Sequence, residues 1–456
     1  MRLSSFLQII LLLSFVGISQ ACASQKASPA PLPTNAPPTP IAVTTPQQPP
    51  AGNLIHANDL TYLGAFRLPD ENEGWDYSGQ GLTYYPQGNP NGPDDGFPGS
   101  LFGFGHDQHM LVSEISIPAP VISQNIEDLN VAETLQPFAD VTDGLFDFEA
   151  IELPRAGIAY LPPQGTQTSP RLHFTIGWHF QEMGDPSHGW SALDLSHPQA
   201  AGPWIFDGYS NYVTDDYLFE IPQPWADAIG PGMRLATGRA REGPWSGLGP
   251  ALFAYAPWQD GNPPAAGATL QTIAPLLLYG EQLPGEIDIA TDPGRAMQDY
   301  GDSDHWMSGA WLTAGDKAAV IFVGTKALGK SWYGFDNGVV WDYECAEQSP
   351  PTCPEVPEWP HDNRGYWAED YQAQIIFYDP ADLVAVARGD KASWEPQPYA
   401  ALSLDDHLFD PHLRPEDYKR DLVGAVAFDR ERGLLFIVER LADEYRSVIH
   451  IWQVKP

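Results

Sequence analysis

Five stretches of the chain share one pattern, an apolar run that ends at an abrupt polar turn: SLFGFGHD at 100–107, LHFTIGWH at 172–179, MRLATGRA at 233–240, AVIFVGTK at 319–326 and GLLFIVER at 433–440. In four of the five, a glycine stands just before the polar residues: Gly105, Gly177, Gly238 and Gly324. Short apolar runs bounded by Gly, Pro, Asn and Asp read as strands, and helical periodicity is scarce in the rest of the chain, so the class is all-β. We call the recurring run strand B.

Working outward, a second run precedes each B strand across a turn-rich connection: GLTYY at 81, GIAYL at 157, DYLFEI at 216, GAWLT at 309 and GAVAF at 424. These are the A strands. A third run follows each B strand, in MLVSEISIP at 110, GWSALDLS at 189, PALFAYAP at 250, AQIIFYDP at 373 and SVIHIWQV at 447, giving the C strands. A fourth can be drawn in four units, at TLQPFAD (134), GPWIFDG (202), TIAPLLLYG (272) and QPYAALSL (397). The fifth unit ends with the chain, and LTYLGAFRLP at 60–69 is the strand available to complete it. Long, uneven repeats suit four-stranded blades better than the coils of a β-helix, and ring closure removes exposed sheet edges. The expectation is a five-bladed β-propeller over residues 58–456, closed by an N-terminal strand, with two stacked sandwiches as the rival.

The region before the repeats is of another kind. Arg2, an apolar run from Phe6 to Ile18 and the small-residue sequence Ser19-Gln20-Ala21-Cys22-Ala23 read as an export signal over residues 1–23. Ile18 to Cys22 resembles a loose lipobox without its usual leucine, which would make Cys22 a lipidated N-terminus; cleavage after Ala23 and plain secretion is the alternative. Residues 24–57, rich in Pro, Ala, Thr and Gln, read as a disordered tether. No stretch reaches the roughly 20 apolar residues of a membrane span, so a membrane is expected to be met only through a lipid anchor. Cys345 and Cys353, close together in an exported chain, are expected to pair, closing a loop for which chain entropy assigns roughly 2 to 3 kcal/mol. With 59 acids against 23 bases and a net charge of −36, nucleic acid is disfavoured as a partner. A monomer is expected.

In a propeller, the loops joining B to C and those entering A open on one face around the channel. The B-strand ends would bring there His106, Asp107 and His109; Trp178, His179 and Glu182; Arg239, Arg241 and Glu242; Lys326 and Lys330; and Glu439 and Arg440. The loops entering A add Tyr77, Asp302, Asp304, His305 and Trp306. Five of the 23 bases at one mouth would make a cationic field that favours an anionic ligand. The competing expectation is that each cation pairs with a carboxylate of a neighbouring blade and merely stitches the ring. The connection at 325–372 is long and rich in aromatics (Trp332, Tyr333, Trp341, Tyr343, Trp359, Tyr366, Trp367, Tyr371), and reads as an inserted loop over that face. It could be a sugar-stacking lid or pack only on itself.

Several chemistries remain open to such a mouth. Glycoside hydrolysis needs two carboxylates, one protonated and one ionised, for which Asp107, Glu182, Glu242, Asp304 and Glu439 are available. A lyase acting on a uronic-acid polymer needs a base (His106, His179, His305 or Tyr333) and cations such as Arg239, Arg241 and Lys326 to neutralise the carboxylate beside the departing proton. His106, Asp107 and His109 could hold a divalent metal, although no cofactor is strongly implied. Nucleophile elbows, dinucleotide-binding glycine loops and P-loops are absent from the sequence in the required context.

The plan of strands from 58 to 456 resembles the secreted five-bladed propellers, a group that includes many glycoside hydrolases. That resemblance implies acidic catalysts at the inner ends of blades, where Asp107 fits best, although FGHDQH with its histidines departs from those enzymes and no family motif matches. The function expected is action on carbohydrate at the channel face, by hydrolysis or elimination and with an acidic glycan as one substrate class. The alternative is a non-catalytic glycan- or protein-binding propeller at the cell surface.

Overall fold

A computed structural model of the protein describes residues 50, 52–70, 73–357 and 363–456. The export signal, Cys22, most of the tether and Trp359 lie outside the described residues. Five antiparallel sheets follow one another along the chain. The first blade is Leu82–Tyr85, Ser100–Phe104, Val112–Ser116 and Thr134–Ala139. The second is Arg155–Leu161, Arg171–Gly177, His188–Ser191 and Ala201–Phe206. Tyr217–Glu220, Leu235–Gly238, Leu252–Tyr255 and Ile273–Leu277 form the third. The fourth has His305–Ala314, Lys317–Gly334, Gly365–Tyr378 and Ala400–Ser403. In the fifth, Val423–Asp429, Leu434–Asp443 and Arg446–Val454 are joined by Leu60–Arg67 as outer strand. The A strands meet one another in ring order, the fifth touching the first, so the molecule is a five-bladed β-propeller.

The B strands are apolar because each lies mid-sheet with both faces covered; every residue of Ser100–Phe104 is buried. One apolar cluster joins blades five and one through Phe436, Ile449 and Leu101. Another joins blades one and two through Phe102, Phe104 and Phe174. The recurring glycine has a steric cause. A Cβ on Gly324 would lie 2.1 Å from the His305 carbonyl oxygen, and one on Gly238 would lie 2.0 Å from that of Ala251. The strand ends there need a residue without a side chain because a neighbouring backbone passes against them.

Closure follows the expected pairing, with Leu60 opposite Val454 and Arg67 opposite Val448. Arg67 Nε then donates to Asp443 Oδ2 at 2.9 Å, fixing the end of the closing strand to the blade it completes. Two details differ from the sequence expectation. Ordered pairing starts before residue 58, at Asn53 and Leu54, which run parallel to Lys317 and Ala318. The insertion is also not a loop for most of its length. Strands B and C of blade four continue beyond the body as a two-stranded arm, paired from Thr325 with Ala373 to Gly334 with Gly365. At its tip, Cys345 and Cys353 form a disulfide with a Cα separation of 5.1 Å. Phe335, Trp341 and Ala346 pack beneath it as a small separate core.

Candidate functional site

The residues just before the A strands and just after the B strands meet at one end of the channel, and the contacts cross every blade seam from three to one. Asp421, before strand A of blade five, is in ion-pair contact with His305 Nδ1, at the start of strand A of blade four. His305 Nε2 faces Glu242 Oε2 of blade three at 3.9 Å. On its other side, Asp421 Oδ2 lies 3.8 Å from Arg440 Nη1 of blade five. Arg440 in turn donates through Nη2 to Asp107 Oδ2 of blade one at 2.5 Å.

His305 is the pivot of this chain. It is 7% exposed, and its Nε2 is shielded from solvent without a hydrogen-bond partner among the described residues. Burial pushes the Asp421 carboxyl up, but His305, Arg440 and Arg155 outweigh it and hold the group down at about 2. Glu242 is balanced the same way: burial raises it, while His305, Arg155 and Arg420 together leave it below the usual carboxylate range. Both carboxylates flanking the imidazole are therefore ionised at neutral pH. An imidazole with one nitrogen against a carboxylate and the other unengaged is arranged for proton transfer.

The arm lies against this centre. Tyr366 packs on blade three's connecting loop, where a Cβ on Gly243 would stand 2.6 Å from its ring. Its ring centroid is 5.0 Å from that of Tyr333. Burial pushes the Tyr366 phenol up to about 12, with Asp302, Tyr333 and Glu242 adding to the rise. Trp367 carries the Arg420 guanidinium over its face at 5.0 Å.

Other residues singled out in the sequence are structural here. Asp304 is turned away from His305, pairing with Lys326 Nζ at 2.8 Å and accepting from the amides of Gly301 and Ala327. Burial nevertheless raises its pKa. Arg239 is spent on its own loop, donating to Ser246 Oγ and to the carbonyls of Gly243, Gly247 and Gly249. Arg241 pairs with Asp216 at 2.9 Å and donates to the Trp178 carbonyl of blade two. Arg440, paired with Asp107 of blade one, meets the stitching expectation of a neighbouring blade's carboxylate. Arg241 and Lys326 pair with carboxylates of their own blades and Arg239 with its own loop, so the expected field of unpaired cations does not form around these four.

The remaining candidates sit at the rim. His179 lies 3.5 Å from Glu152, and the Glu182 side chain is exposed. Lys330 is exposed on the arm, where Trp332 Nε1 donates to the Phe335 carbonyl. The His106 ring is 4.8 Å from that of His109 and 5.3 Å from that of Tyr77, and burial followed by His109 lowers its pKa. With Asp107 committed to Arg440, a metal set of His106, Asp107 and His109 is not assembled. Among the described residues, no group of three or more His, Cys, Asp or Glu converges as metal ligands would. Sequence reasoning missed Asp421, Arg155 and Arg420. They stand just before, or at the start of, A strands, in the place that Asp304 and His305 occupy in blade four, and the same position examined in every blade would have found them.

The far end of the channel is different in kind. A cavity of about 270 Å³ lies there, lined by Tyr84, Tyr160, Phe219, Trp311 and Phe428 among others and containing no histidine. Its Arg430 is already engaged, donating to the Trp311 carbonyl and Thr313 Oγ1. That cavity is thus not where the proton-transfer groups are.

No protein-family model matches the chain, so the glycoside hydrolase resemblance has no family-level support. No curated protein matches it either. Among solved structures, a crystal structure of glucose dehydrogenase aligns over 66% of this chain and 96% of its own, at 12% identity and a TM-score of 0.22. A likeness at that level carries no argument about activity.

Proposed function

We propose that this protein is an exported, cell-surface propeller that acts on carbohydrate at the His305 end of its channel, with His305 as the group that moves the proton. The observation that carries this reading is the His305 constellation: Nδ1 against Asp421, and Nε2 unpartnered and 3.9 Å from Glu242. The arm supports a sugar ligand, because Tyr333 and Tyr366 bring aromatic faces to the same place. The Cys345–Cys353 disulfide supports an oxidising compartment, and no helix among the described residues is long and apolar enough to cross a membrane.

The test is product formation by the mature body from a panel of neutral and uronic-acid polysaccharides, with and without divalent ions. Oligosaccharide release by the wild type that His305→Gln abolishes supports the reading. Saturable binding without product from any polymer overturns it in favour of the non-catalytic alternative. One observation favours that alternative: most of the mouth's cations are already paired within the protein.

A further inference from the structure

The cations at the mouth divide into two groups. Arg239, Arg241, Lys326 and Arg440 are each hydrogen-bonded or ion-paired as described above. Arg155 and Arg420 are not. Among the described residues, neither guanidinium makes a hydrogen bond or an ion pair. Among the described residues, Arg420 Nη2 is shielded from water with no hydrogen-bond acceptor, and the guanidinium lies over the Trp367 ring at 5.0 Å. Yet both are close enough to Glu242 to help lower its pKa, and Arg155 acts on Asp421 as well. In the fold, Arg155 opens strand A of blade two and Arg420 directly precedes Asp421, so both leave the backbone at the strand ends where Glu242, His305 and Asp421 meet. A half-buried guanidinium without an acceptor is costly, and its planar fork matches a carboxylate in a bidentate way.

We infer that Arg155 and Arg420 form the binding site for a substrate carboxylate, which makes the ligand of this mouth a uronic-acid polymer and its reaction a β-elimination. The inference rests on the proposed function for the role of His305. Neutralising the carboxylate makes the adjacent C5 proton more acidic, since charge develops on that group as the proton leaves. His305 Nε2 takes the C5 proton, the C5–H electron pair becomes the C4=C5 bond, and the C4–O4 bond breaks. The departing O4 receives the proton from His305, which returns to its starting state. The step consumes no water, oxidant or metal. Asp421 against Nδ1 positions the ring and stabilises the imidazolium while the proton is held.

The experiment uses the mature protein with polygalacturonate, alginate and a glucuronate-containing glycan, each beside its carboxyl-reduced counterpart. Two signals are followed, ultraviolet absorbance of unsaturated uronate ends and release of reducing ends. The expected result is unsaturated product from at least one polyuronate and none from its reduced form. Arg155→Gln and Arg420→Gln are expected to raise KM about tenfold or more each, while Arg155→Lys and Arg420→Lys, which keep the charge, lose less. Reducing ends without unsaturation, formed equally from reduced polymers and insensitive to the arginine variants, would overturn the inference and leave the proposed function standing. If no polymer yields product, the proposed function falls, and affinity electrophoresis in the same polymers then decides the arginine site. Retardation by a polyuronate that both glutamine variants lose supports the site; equal migration of wild type and variants overturns it.

Discussion

His173 and His188, in blade two, are as deeply buried as His305, and their chemistry is the opposite. His173 Nε2 meets Gln167 Oε1 at 2.9 Å, with Trp190 and Trp258 edge-on to the ring. His188 Nδ1 meets Ser187 Oγ at 2.9 Å, and Phe206 and Tyr255 pack on it. Burial pushes both down to about 3, with Arg171 adding to the fall at His173, so they remain uncharged. His305 instead sits between Asp421 and Glu242, which stay ionised beside it. Burial alone makes a structural histidine. What sets His305 apart is its place between two ionised carboxylates.

The sharpest way to break this comparison is to remove each histidine in turn. His305→Gln should lower turnover on the substrate polymer by roughly 10²- to 10⁴-fold, the range general acid and base groups supply. Asp421→Asn should lower it less and displace the acid limb of the pH–rate profile. His173→Gln and His188→Gln should leave turnover of the folded protein unchanged. A loss at His188 equal to that at His305 would mean that position in the channel, and not the flanking carboxylates, decides the role.

The next largest effect is on stability in acid. Both blade-two histidines have folded pKa values near 3, below the 6.5 of the unfolded chain, so the unfolded state binds more protons as pH falls. Stability is therefore lost progressively below about 6.5. Between pH 7 and 4.5 each histidine should cost about 2 to 3 kcal/mol, read from urea midpoints at the two pH values. His188→Gln should flatten that decline even if it is less stable at pH 7. Asp421 has the reverse linkage: with its folded value lowered from 3.8 to about 2, it contributes stability that is full above about pH 4 and fades below. At neutral pH that amounts to about 2 kcal/mol. The stability gap between wild type and Asp421→Asn should shrink as pH falls from 5 to 3, and a gap that stays constant would remove the linkage.

Much of the fold was legible because repetition makes its own control. Each B run carries the same apolar stretch and turn; at Gly105, Gly238 and Gly324 the glycine marks where a neighbouring backbone crosses, and at Gly177 where the Asp215 and Arg241 side chains press against the strand. The closing strand could be inferred from an incomplete last unit. The site was legible only in part. Asp304 and His305 are adjacent, and the sequence offered both to the mouth, yet one is turned to Lys326 and the other to Asp421. Successive residues of an extended chain point to opposite sides, and sequence alone does not give the phase at a strand's first residue. Arg239 was equally opaque, since its four partners are one serine and three carbonyls of its own loop, which leave no charge pattern to read. The arm was read as a loop because its strands carry both polar and aromatic residues, as in KSWYG against GYWAE, with no alternation of a buried face.

The smallest effect expected concerns the arm, and it tests whether covering His305 is part of the working arrangement. Cys345→Ser with Cys353→Ser removes a short cross-link whose loop-entropy contribution is roughly 2 to 3 kcal/mol. The bond closes a segment with its own core of Phe335, Trp341 and Ala346, away from the ring of blades, so the loss should remain local. Global unfolding midpoints should move little, while amide exchange over 335–357 speeds up. If Tyr333 and Tyr366 hold the ligand over His305, KM should rise severalfold with kcat preserved. A fall in kcat with KM unchanged would instead make the arm part of the proton-transfer geometry. In that case the comparison with blade two must include shielding of Nε2 from water, and not carboxylates alone, among the things that set His305 apart.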